Sequence, residues 1–132
     1  MYSSFLRWAW AHRDCGTSAT VLREMALALA RGRWRPEDEE EAPWRAAIDV
    51  AERFRRGEAT VSELEAAYQD MRRAETHLRR DALIWSAHHR ACELVRECLD
   101  PDALHAAMAC LRQVTHRERE DVLRTFWVRL VE

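Results

Sequence analysis

The amino-acid sequence predicts an all-α fold, a helical bundle of about six helices around one long central helix, filling a single domain over residues 1–132. Three observations lead there. Only three Gly and three Pro occur, and β-branched residues are sparse, so little is available to build strands and their tight turns. Apolar residues recur three and four positions apart, the period of a helix with one face turned to a core. The breaks between these runs carry helix-capping residues.

In chain order, Ser3 or Ser4 is positioned to cap a first helix carrying Phe5, Leu6, Trp8, Ala9 and His12, with Gly16 as its stop. Thr17 or Ser18 caps a second, in which Val21, Leu22, Met25, Ala28 and Leu29 recur at helical spacing up to Gly32. From Arg31 to Pro43 a basic segment is followed by five consecutive acids between two prolines, which reads as a solvated connection. Pro43 suits the first turn of a third helix, where Trp44, Ala47, Ile48, Ala51 and Phe54 form one apolar stripe and Gly57 is the stop.

Thr60 with Glu63, or Ser62 with Glu65, makes a capping box for the element that follows. Its apolar positions fall in two groups. Leu64, Tyr68, Met71, Leu78 and Ala82 share one direction; Leu83, Ile84, Ala87, His88, Ala91, Leu94, Val95 and Cys98 lie half a turn away, with the handover between Arg79 and Ala82. No Gly or Pro interrupts, so the expected object is a continuous helix from Leu64 to Leu99, about 54 Å long, with opposed buried faces. The alternative is a break at Arg80-Asp81 with Asp81 as a new cap. Asp100 and Pro101 then start a helix bearing Leu104, Ala107, Met108, Leu111 and Val114. Thr115 and Glu118 box the start of the last, with Val122, Leu123, Phe126, Trp127 and Leu130 on one face.

The formal charge of −2 leaves no global positive field, which disfavours nucleic acid and anionic membrane surfaces as partners. All 21 basic residues are Arg, as codon bias in a GC-rich genome would produce. Cys15, Cys92, Cys98 and Cys110 form no CxxC pair and follow no secretory leader, which points to reduced thiols in a cytoplasm. No run of about 18 apolar residues is present to span a bilayer.

From Trp44 to Ala67, WRAAIDVAERFRRGEATVSELEAA, the chain resembles a helical segment of uncharacterised proteins from high-GC bacteria, planctomycetes among them. There an A-V-E-V-A-E-R-Y/F-A-D-G-x-A-T-x-x-E-L-x-A-A stretch precedes an alanine-rich helix. The resemblance implies a bacterial helical module with no assigned chemistry. Thr115 to Trp127 is similar to the opening helix of the DNA-binding fourth region of sigma factors, whose recognition helix would follow beyond Glu132; the stretch is read as a capped amphipathic helix.

Two further patterns bear on chemistry. Arg72 to His77 and Arg7 to His12 match the R-x4-H spacing of the HEPN family of helical ribonucleases, and that resemblance implies Arg72 and His77 as a catalytic pair. Neither Arg is followed by the family's usual Asn, Asp or His, and residues five apart on a helix differ by about 140° in direction. His88 and Cys92, and likewise His89 and Glu93, stand one turn apart as two metal ligands would. Partners for them would come from His77, His105, Cys110 or His116. No glycine-rich phosphate loop or nucleophile signature is present, and no cofactor is called for.

Six tryptophans are many for this length. Trp44 and Trp127 lie on core stripes, whereas Trp34 in the charged connection and one of Trp8 or Trp10 have no core assignment. Trp is enriched in interface hot spots, so Trp8, Trp10 and Trp34 are the candidate contact residues. The expectation is a cytoplasmic, non-catalytic protein-interaction module, meeting a protein partner or a second copy of itself. A metal-binding helical protein or a HEPN-like ribonuclease is the alternative.

Overall fold

The computed structural model describes residues 1–13, 18–33, 42–78 and 91–132. Among them are seven helical stretches packed together and no strand: α1 (Tyr2–Ala11), α2 (Ala19–Gly32), α3 (Ala42–Arg55), α4 (Val61–Leu78), α5 (91–98), α6 (Ala103–Gln113) and α7 (His116–Val131). Trp34, the Arg79 to Ala82 handover, Asp81 and the metal candidates His88 and His89 lie outside the described residues.

Helix α1 starts at Tyr2, ahead of Ser3 and Ser4, because its cap is tertiary. The four leading N–H groups of a helix lack internal acceptors. Here the Tyr2 N–H donates to Glu120 Oε1 of α7 at 3.2 Å, and the Met1 ammonium sits 3.3 Å from Glu120 Oε2. A carboxylate at a helix N-terminus also opposes the positive end of the helix dipole. The Arg119 guanidinium covers the Tyr2 ring at 4.3 Å, and Phe5 and Ala9 are buried on the inner face.

Helix α2 lies at the middle of the described residues, touching α3, α6 and α7. Its buried arc, Leu22, Met25, Ala26, Leu27, Leu29 and Ala30, is wider than the single stripe expected, while Ala28 is exposed. Its largest contact is with α6, which buries Ala103, Ala106, Ala107, Ala109 and Cys110. Small side chains on both helices permit close approach of their backbones.

The α3 stripe is inward as expected, with Trp44, Ala47 and Ala51 buried and Ile48 and Phe54 packed at its edge. Gly57 ends it with φ +76°. The Glu58 N–H reaches the Arg53 carbonyl at 2.7 Å and the Gly57 N–H reaches Phe54 at 3.0 Å, the two bonds of a Schellman motif. Three residues on, the Thr60–Glu63 capping box is complete. The Glu63 N–H donates to Thr60 Oγ1 at 3.2 Å and the Thr60 N–H to Glu63 Oε1 at 3.3 Å. The result is an α3–α4 hairpin whose buried α4 row is Leu64, Ala67, Met71 and Glu75.

The continuous helix from Leu64 to Leu99 is corrected by one contact. Arg96 Nη1 of α5 donates to Glu75 Oε2 of α4 at 2.6 Å. Twenty-one residues along one helix span about 31 Å, beyond the combined reach of the two side chains. Helices α4 and α5 therefore lie side by side. Among the described residues of the two apolar faces, Leu64 and Met71 of α4 and Leu94, Val95 and Cys98 of α5 are buried in one core. The Cys110 thiol lies 3.7 Å from the Leu94 carbonyl, bringing α6 onto α5.

The boundary at Asp100 to Asp102 differs by two residues from expectation. Helix α6 begins at Ala103, with Asp102 as cap accepting the His105 N–H at 3.0 Å, while Asp100 Oδ1 accepts the Asp102 N–H at 2.8 Å. Buried Arg23 from α2 explains the shift: it donates to the Asp100 carbonyl at 2.9 Å and to the Pro101 carbonyl, holding both outside the helix. Thr115 caps α7 through the Glu118 N–H at 3.2 Å, as expected from the box. Val122, Leu123 and Leu130 are buried, with Phe126 and Trp127 half-buried beside them.

Candidate functional site

Two surface features stand out, and the first is a cavity of about 440 Å³ between the start of α4 and the α5–α6 turn. Val61, Glu65 and Tyr68 approach from one side; Arg96, Glu97, Leu99, Asp100, Pro101 and His105 form the other. The Thr60 capping box sets where α4 starts, and Arg23 sets the shape of the opposite wall. The Arg23 guanidinium also lies 4.5 Å above the Phe54 ring. Burial lowers its pKa and neighbouring Asp100 works against that, so a charge is kept inside the protein to clamp two carbonyls.

Within the wall, the donor atoms of Glu97, Asp100 and His105 all lie within 4.8 Å of one another. Asp100 Oδ2 is hydrogen-bonded to His105 Nδ1, which orients the imidazole. Of the two cations beside the wall, Arg96 is paired with buried Glu75 and Arg23 is held on the Asp100 and Pro101 carbonyls, while Glu65, Glu97 and Asp100 are the carboxylates that line the cavity. Sequence reasoning reached His105 as a possible metal partner but not Glu97, Asp100, Glu65 or Tyr68. The only local hint was two acids and a histidine close together around Pro101; Tyr68 comes from a different helix.

The second feature is the outer face of α1. Trp8 is half-buried, its ring centroid 5.9 Å from Phe5 and 4.9 Å from His12, and packs against the core. Trp10 is 72% exposed, with the Arg13 guanidinium 4.3 Å from its ring and Leu6, 38% exposed, one turn before it. Of the two N-terminal tryptophans, Trp10 is thus the one turned outward.

The other sequence candidates are dispersed. Arg72 is exposed on α4, its carbonyl accepting the Thr76 hydroxyl at 3.0 Å; the His77 side chain lies outside what is described. Cys92 is fully buried in α5, while its proposed metal partner His88 is outside the described residues. Cys98 and Cys110 are buried too, and a hydrogen bond with Cys98 together with burial pushes the Cys110 thiol well above its usual range. A thiol held protonated is a poor nucleophile and a poor metal ligand.

Among the described residues no helix is long and apolar enough to cross a membrane. Compared with protein-family models, with curated proteins and with solved structures, the chain matches none.

Proposed function

We propose that the chain is a non-catalytic helical interaction module of the cytoplasm, which associates with a second copy of itself through the outer face of α1. The observation that carries the reading is Trp10, 72% exposed on a helix whose inner face is anchored by buried Phe5 and Ala9. Large aromatic side chains dominate interface energetics, and one presented on a fixed helix has little ordering cost left to meet on association. Leu6, one turn away, extends the patch. A second copy is the occupant proposed because an isologous two-fold contact requires only one self-complementary patch.

Light scattering coupled to size exclusion tests this at micromolar concentration. The wild-type protein is expected at twice the monomer mass and a Leu6→Ala, Trp10→Ala double variant at the monomer mass with unchanged helical circular dichroism. A wild-type monomer across the concentration range, or a double variant that still dimerises, overturns the reading.

A further inference from the structure

We propose that the cavity between α4 and the α5–α6 turn is a binding site for a divalent first-row transition-metal ion, held by Glu97, Asp100 and His105. Donors about 2.1 Å from a common ion stand about 3.0 to 4.2 Å apart in tetrahedral or octahedral geometry. The three donors here lie within 4.8 Å of one another; Asp100 Oδ2 and His105 Nδ1, now hydrogen-bonded to each other, would exchange that contact for the ion, with Glu97 as the third donor. The ligand set decides the class of ion. An imidazole nitrogen beside two carboxylates suits Zn²⁺ or Mn²⁺, whereas Ca²⁺ and Mg²⁺ favour all-oxygen shells.

The surroundings add access and one further carboxylate to the donors. The site opens onto a cavity of about 440 Å³, so an ion can enter and fill its remaining positions with water or with a ligand occupying the cavity. Glu65 faces the same space from α4, and the Glu75 carboxylate at 2.6 Å offsets the charge of Arg96. The backbone beneath Asp100 is held by the Arg23 guanidinium, so a principal ligand is fixed before the ion arrives.

Calorimetric titration of tag-free protein with ZnCl2, repeated with CoCl2 and followed by visible absorption, tests the site. One equivalent of metal is expected to bind saturably, with affinity reduced about tenfold or more in Glu97→Gln and in His105→Ala. Both side chains are partly or largely exposed, and circular dichroism confirms that each variant stays folded. His116→Ala, on the exposed start of α7, is expected to titrate like the wild type. Absence of saturable binding overturns the proposal. So does an unchanged titration in Glu97→Gln and His105→Ala, or an equal loss in His116→Ala.

Discussion

Glu75 and Arg96 meet at 2.6 Å across the α4–α5 contact, with the carboxylate buried and the guanidinium half-buried. A pair of this kind gives little net stability over an apolar pair, but removing one partner strands the other charge in a dry setting. Arg96→Met, which takes this partner from the buried Glu75 carboxylate, is expected to destabilise the protein by about 3 kcal/mol, measured by urea unfolding. Glu75→Ala combined with Arg96→Met, which removes both charges, is expected to recover part of that loss.

Arg23 clamps the turn that forms one wall of the cavity. Arg23→Met leaves the Asp100 and Pro101 carbonyls without their donor, and a loss of about 2 to 4 kcal/mol in unfolding free energy is expected. Lysine at this position is expected to recover only a small part, because one ammonium does not reproduce a planar fork spanning two carbonyls.

Glycine 57 has positive φ, and a Cβ added there would meet no atom within 4 Å. The cost of Gly57→Ala is therefore conformational alone. About 1 kcal/mol is expected in thermal or chemical unfolding, with no change in the helix content of the folded state.

Trp8 and Trp10 separate fold from surface. Trp8→Ala removes a ring stacked on Phe5 and packed on the core, so a lowered melting temperature is expected. Trp10→Ala is expected to change the stability of the monomer by no more than about 0.5 kcal/mol.

Acid sensitivity follows from the ion network that ties α2 to α3 and α7. The hydrogen bond from Arg129, 3.0 Å from Glu24 Oε1, holds the Glu24 carboxyl below its ordinary value of 4.5; Arg55 does the same for Glu52. A carboxyl with a depressed folded-state pKa contributes stability above its unfolded pKa and loses it as pH falls through the folded value. The melting temperature is therefore expected to fall on acidification below about pH 4.5. Glu24→Gln is expected to show a shallower decline over the same interval.

Features that depend on neighbours a few residues away were legible in the sequence. The α3 stripe, the Gly57 stop, the Thr60–Glu63 box, the Thr115 cap and the all-helical class each rest on helical period or on a bond spanning three to five residues. Tertiary packing decided the rest. A face change within one helix and a return by a second helix produce the same local pattern, and the meeting of Glu75 with Arg96 distinguishes them. The α1 cap is a carboxylate from α7, 118 residues away, and the α6 start is set by Arg23, a charge standing on an otherwise apolar arc. The cavity joins Tyr68 to Glu97, Asp100 and His105 only because α4 lies against the α5–α6 turn. Local periodicity determines that helices form and roughly where they stop; which distant side chains share a wall depends on long-range packing and burial of charge, which no short window of sequence encodes.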